Sequence, residues 1–181
     1  SITMRYSTAG SIDERMDAVK KVGFNYINLN TGSCMALIES GPDDTKKMKK
    51  RLKDRDLKLD WLHAPHVYPV LFEKNGEEFA VSMAAFRTAI YIASELEAGS
   101  IIVHPFGNQI PDNMLAKEKT EFLQNALSVL VEYGKQYGVH IALENVFEPV
   151  SMQLLDTLFE QIEGLRFCLD LGHANVGKSL N

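Results

Sequence analysis

Phe167-Cys168-Leu169-Asp170-Leu171-Gly172-His173-Ala174-Asn175 is the stretch on which both fold and chemistry turn. A short apolar run ends in an aspartate, and a histidine follows three residues later. A strand buried on both faces reads as a continuous apolar run, the mark of a parallel sheet. A carboxylate at its end is destabilising unless it is solvated, paired or bound to a cation. Two readings stay open on this stretch alone: Asp170 caps a following helix, or Asp170 and His173 offer an oxygen and an imidazole to a divalent ion.

Toward the N-terminus the same pattern repeats. Residues 139–143 form an apolar run ending in Glu144-Asn145, residues 100–103 end in His104-Pro105, and residues 57–62 end in His63-Ala64-Pro65-His66. Two earlier runs, 2–8 and 24–30, complete six expected strands. Helical spacing fills the intervals. Ser11-Ile12-Asp13-Glu14 reads as a capping box, with Ile12, Met16, Val19 and Val22 on one face and Gly23 at the end. Gly41-Pro42-Asp43-Asp44 opens a second helix after a loop over 31–42. Phe79, Met83, Phe86, Ile90 and Ala93 line a third; Phe122, Ala126 and Tyr133 a fourth; Met152, Leu155, Phe159 and Ile162 a fifth.

Strict alternation of strand and helix predicts an α/β fold with a parallel sheet. Six βα units, with no Gly-x-Gly-x-x-Gly after any strand, favour an incomplete or open (β/α) barrel of TIM type over a doubly wound nucleotide-binding sheet. The 181 residues suit one domain over 1–181. No apolar run is long enough to span a membrane, no signal segment opens the chain, and two cysteines are too few for a disulfide framework. Cys168 is expected to be a buried small hydrophobe, and a reducing, cytoplasmic location is the expectation.

The net charge of −5 argues against nucleic acid as a partner. The basic run Lys46, Lys47, Lys49, Lys50, Arg51, Lys53 and Arg55 surrounds a Met48/Leu52 stripe, which marks a solvated outer helix face.

In a parallel barrel, reactive side chains gather where the strands' C-terminal ends meet. There the sequence puts His63, His104, Glu144 and Asp170 with His173, on four consecutive strands. Imidazoles and carboxylates without cysteine predict a divalent metal, zinc or manganese first, with magnesium or cobalt as alternatives. Glu144 is also the candidate catalytic group, and His173, His66 and Asn145 are candidate substrate contacts. His140 opens its strand and is expected on the opposite, structural face. Asp60 is expected to face outward or meet a lysine, Trp61 to pack in the core, and Phe106 and Phe147 to flank the site.

Leu62-His63-Ala64-Pro65, Val103-His104-Pro105, Ala142-Leu143-Glu144-Asn145 and Cys168-Leu169-Asp170-Leu171-Gly172-His173-Ala174 resemble the xylose isomerase-like TIM-barrel superfamily, which contains sugar isomerases and epimerases, inosose dehydratases and endonuclease IV. The resemblance runs in order along the chain and implies a (β/α)8 barrel with one to three divalent metals at its C-terminal mouth. Glu144 and Asp170 match ligands used throughout the family, and in the epimerase branch the glutamate matching Glu144 also exchanges a proton with the substrate carbon. His173 matches a substrate contact there and an extra zinc ligand in the nuclease branch, whose zinc ligands His63 and His104 also match. The family supplies a further histidine and glutamate from two more βα units, which do not lie between Ser1 and Asn181. A partial site and an open sheet edge, covered by a second copy or by further chain, are therefore expected.

The leading expectation is a metal-dependent isomerase or epimerase acting on a small sugar or polyol-derived hydroxy-carbonyl compound through an enediolate. Endonuclease IV-like cleavage of abasic DNA is the first alternative. It calls for basic side chains on the loops of the catalytic face, yet 31–42, 106–116 and 145–150 hold no Lys or Arg. A catalytically inert binding or assembly module is the second.

Overall fold

The computed structural model describes residues 2–4, 10–65, 76–105, 116–146 and 149–179. Its elements run β1 (Ile2–Met4), α1 (Ile12–Lys21), β2 (Tyr26–Leu29), α2 (Thr31–Ser40), α3 (Pro42–Asp54), β3 (Lys58–His63), α4 (Glu77–Glu95), β4 (Ser100–Val103), α5 (Ala116–Tyr137), β5 (His140–Glu144), α6 (Pro149–Gln161), β6 (Arg166–Cys168) and α7 (Leu171–Ser179). The six strands pair in sequence order, β1-β2-β3-β4-β5-β6, and every pairing is parallel. The expected open α/β architecture is therefore present, with every strand's C-terminal end on one rim.

The helices form for the expected local reasons. At α1 the Ser11 hydroxyl accepts from the Glu14 amide at 3.2 Å while Glu14 Oε2 takes the Ser11 amide at 2.6 Å, a reciprocal cap. Gly23, at φ 94°, lets the chain turn out of that helix. Met48 and Leu52 face inward on α3, and its lysines pair with acids on the exposed side, among them Lys46 with Asp43 and Lys50 with Asp54. Ile27, Leu29, Leu62 and Ile101 from the strands and Ile90, Leu123, Leu127 and Leu130 from the helices are wholly buried. Each such side chain contributes about 1.5–3 kcal/mol of transfer free energy. Between α5 and β5 the approach is so close that a Cβ on Gly134 would lie 2.4 Å from the Val139 carbonyl oxygen.

One helix differs from the sequence expectation. Residues 31–40 are helical rather than a loop, because Asn30 Oδ1 accepts from the Ser33 amide at 3.1 Å and the segment buries Cys34 and Leu37. Gly41, at φ 80°, separates α2 from α3, with Pro42 starting the latter. Beyond β6, which ends at Cys168, the chain coils into α7 with Asp170 as its cap, one of the two readings open on the sequence.

Among the described residues, β1 and β6 each have one neighbour, so the sheet is open. Cys168 is half-buried instead of buried, because β6 is an edge strand; Phe167 and Leu169 beside it are 50% and 56% exposed. Asp60 faces outward and His140 is exposed at the opposite rim, as expected, while Trp61 is half-buried. No helix among the described residues is long and apolar enough to cross a membrane.

Candidate metal centre

His63 is the last residue of β3, His104 follows β4, Glu144 is the last residue of β5, and Asp170 lies two residues beyond β6. Because the strands are parallel and in register (Val103 with Leu143, Glu144 with Cys168), these ends rise together. Glu144 stands at the centre, with its side chain only 7% exposed. Its Oε2 lies 3.2 Å from His63 Nε2 and 3.2 Å from His104 Nε2, and its Oε1 lies 3.4 Å from His173 Nδ1. The His63 and His104 rings meet edge to face at 4.9 Å, and those of His104 and His173 at 5.8 Å.

Burial alone would raise the Glu144 pKa. Hydrogen bonding and charge from His104 and His63 outweigh it and hold the carboxyl well below the ordinary carboxylate range. Glu144 is therefore an anion at neutral pH. The neighbouring Cys168 moves the other way: burial, with the charges of Glu144 and Asp170, pushes its thiol up to about 11, so it stands by as a neutral thiol.

Main-chain carbonyls orient two of the imidazoles. His63 Nδ1 lies 2.8 Å from the Ala64 oxygen and 2.9 Å from Thr31 Oγ1. A carbonyl oxygen only accepts, so Nδ1 carries a hydrogen and Nε2 is the nitrogen turned to Glu144. The Thr31 hydroxyl donates to the same Ala64 oxygen at 3.2 Å. His173 Nδ1 likewise donates to the Asn145 carbonyl at 2.8 Å. Asp170 Oδ1 accepts from the His173 amide at 2.7 Å, so the carboxylate caps α7, one of the two readings left open on the sequence. A Cβ on Gly172 would sit 2.9 Å from Asp170 Oδ1, so a side chain there would press on the capping carboxylate.

Two overlapping groups of donors result: His63, His104 and Glu144, and Glu144, Asp170 and His173, each with its ligand atoms within 4.8 Å of one another. Two imidazole nitrogens this close to one carboxylate oxygen are held together by a proton or a cation lying between them. The 3.2 Å nitrogen–oxygen separations are close to the roughly 3.3 Å expected between two ligands of a tetrahedral zinc ion. The donor set thus suits a divalent metal in chemistry and in spacing.

Of the sequence candidates, Glu144, Asp170, His63, His104 and His173 come together. Asn145 joins them but is 1% exposed, its carboxamide turned to the Asp170 main chain. His66, Phe106 and Phe147 lie outside the described residues. Thr31 was missed, since 31–42 reads as a loop; Asn30 followed by Cys34, Leu37 and Ile38 at helical spacing was the available signal.

A family model described as xylose isomerase-like TIM barrel matches residues 16–179. An uncharacterized protein of Methanocaldococcus jannaschii is 30% identical over 140 residues, which are 72% of this chain and 47% of that protein; the chain thus spans about half the length of the curated relative it matches. D-psicose 3-epimerase from Clostridium cellulolyticum H10, solved with D-tagatose, superposes with a TM-score of 0.76 at 14% identity, over 96% of this chain and 64% of the epimerase. The IolI protein, solved with a zinc atom bound, gives 0.75 at 16% identity, over 97% of this chain and 64% of its own. At such identities the two superpositions establish a shared fold.

Proposed function

The chain belongs to the xylose isomerase-like TIM-barrel family, and on that premise we propose that it carries the divalent-metal centre of an isomerase or epimerase acting on a small sugar or polyol-derived hydroxy-carbonyl compound. The observation that carries this reading is the buried, ionised Glu144 facing three imidazoles, with Asp170 in the same donor group. Glu144 and Asp170 would hold the ion in common, with His63 and His104 on one side and His173 on the other, where it also meets substrate. Zinc or manganese suits these donors.

When bound, the ion polarises a substrate carbonyl and acidifies the adjacent C–H. Glu144 Oε2 is shared by His63 and His104, so Oε1, with His173 Nδ1 at 3.4 Å, would be the oxygen that takes the proton from carbon. The low pKa of Glu144 makes it a weak base, so transfer depends on that acidification. Return of the proton by Glu144 to the neighbouring carbon would give the isomer, and epimerisation would need a proton delivered to the other face by a second carboxylic acid, such as the further glutamate the family supplies. His173, with Nδ1 bonded to the Asn145 carbonyl, would meet a substrate hydroxyl or a second ion through Nε2. IolI carries zinc and the Clostridium protein is an epimerase, both on this fold, and this supports the reading without identifying the sugar.

Convergence of His63 and His104 on Glu144 favours a second reading, the endonuclease IV-like zinc phosphodiesterase. Against it, Thr31–Ser40 at the mouth has no Lys or Arg, while the cations of α3 lie on its exposed side in pairs with acids. The discriminating experiment uses the protein loaded with zinc or manganese. Incorporation of deuterium from solvent next to the carbonyl of one of a panel of ketoses and inososes, with no nicking of an abasic duplex, is expected. Nicking without exchange reverses the ranking. Absence of metal binding at micromolar zinc leaves the inert binding module as the better account.

A further inference from the structure

The main-chain ladder between β5 and β6 ends early. Glu144 pairs with Cys168, the Asn145 amide donates to the Cys168 oxygen at 3.3 Å, and β6 then turns away into α7. Asp170 is thereby left without a strand partner. Its peptide groups are instead met by a side chain: Asn145 Oδ1 accepts from the Asp170 amide at 2.7 Å, and Asn145 Nδ2 donates to the Asp170 oxygen at 2.9 Å. The carboxamide orientation is unambiguous, since the amide only donates and the carbonyl only accepts. A carboxamide is a peptide group on a stem, so Asn145 supplies one more rung where backbone cannot. Its own carbonyl takes the His173 Nδ1 hydrogen at 2.8 Å.

We propose that Asn145 is a positioning residue for both Asp170 and His173, not a substrate contact: it fixes the start of α7 and so aims that carboxylate and that imidazole at Glu144. The proposal rests on the metal-centre reading above. Three observations carry it. Asn145 is 1% exposed, which closes it to substrate. Its carboxamide makes two hydrogen bonds to the Asp170 main chain, at 2.7 and 2.9 Å, and so sets the α7 start from which His173 reaches the main-chain carbonyl of residue 145 at 2.8 Å. And the Asp170 carboxylate is held in turn by the α7 start, through the His173 amide at 2.7 Å, so moving the one moves the other. Groups that hold ligands from behind typically change metal affinity 10–100-fold when removed.

The test compares wild type with Asn145→Asp, which sets an acceptor against the Asp170 carbonyl, and with Asn145→Ala. Zinc titration without substrate is expected to show affinity about 10–100-fold weaker in both variants. Long-range 15N–1H spectra of the metal-free protein are expected to show His173 as the Nδ1–H tautomer in wild type and as a mixture in the variants, with His63 unchanged. Folded variants with wild-type zinc affinity and an unchanged His173 overturn the proposal. Should wild type bind no zinc, the metal-centre reading fails, and the His173 tautomer alone decides between positioning and a bystander. Should neither variant fold, wild type decides: an Nε2–H tautomer at His173 overturns the proposal, and an Nδ1–H tautomer with slow exchange of the Asn145 side-chain amide supports it.

Discussion

The two rims of the sheet both set carboxylates against nitrogen groups, to opposite ends. At the N-terminal rim, Lys20 reaches Asp56 at 3.1 Å and Lys49 reaches Glu97 at 3.2 Å, with the two acids 90% and 78% exposed. At the C-terminal rim, Glu144 meets His63 and His104 at 3.2 Å with 7% exposure. Water screens the first set and replaces any partner that leaves, so each such pair contributes about 0–1 kcal/mol. The second set lies out of solvent, where removing one partner leaves a charge or a lone pair uncompensated. Distance alone does not separate the rims; burial does. The N-terminal rim closes turns, and the C-terminal rim concentrates potential that a cation can relieve.

The contrast is sharpest at Glu144. Glu144→Gln keeps the shape and removes the charge, and zinc affinity is expected to fall on the order of 100-fold or more, read by competition with a chelator dye; a change under threefold would equate the two rims. Thr31→Val, which removes one hydrogen-bond partner of His63, should weaken zinc by about tenfold, with Thr31→Ser restoring it. Unchanged affinity would assign the hydroxyl to the α2 start alone. On the structural side, Gly134→Ala places a Cβ against the Val139 carbonyl and should lower unfolding free energy by about 1–3 kcal/mol in urea, with zinc affinity per folded molecule unaltered. Glu97, at φ 60°, is a non-glycine residue in the left-handed region, so Glu97→Gly should raise stability by about 0.5–1 kcal/mol. Smallest of all, Lys49→Ala should shift the urea midpoint by no more than about 0.5 kcal/mol allows. A loss above about 2 kcal/mol there would mean that the N-terminal rim is not screened as argued.

Legibility in the sequence followed sequence distance. The Ser11/Glu14 cap and the Met48/Leu52 stripe are read within a few residues, and they stand as expected. The reactive side chains were legible because each stands next to the end of an apolar run. Asn145 and Thr31 were not legible in their roles: Asn145 meets Asp170 across 25 residues, and Thr31 meets His63 across 32. The helix at Thr31–Ser40 escaped because its apolar residues form one unbroken run, Cys34-Met35-Ala36-Leu37-Ile38, with no polar residues spaced among them, and only its burial against the rest of the core picks out the face. Asp170 escaped in part because capping and ligation need the same residue type at the same place.

By itself the sequence determined the alternation of strand and helix, the parallel sheet that this implies, and the identity of the five side chains at its C-terminal rim. These rest on periodicity, chain stops and the geometry of βα units, all local or nearly so. Tertiary structure alone decided that one carboxylate would face three imidazoles and that a buried carboxamide would stand in for a missing strand rung. Each depends on which oxygen or nitrogen meets which partner across a register, and neither spacing nor composition encodes that.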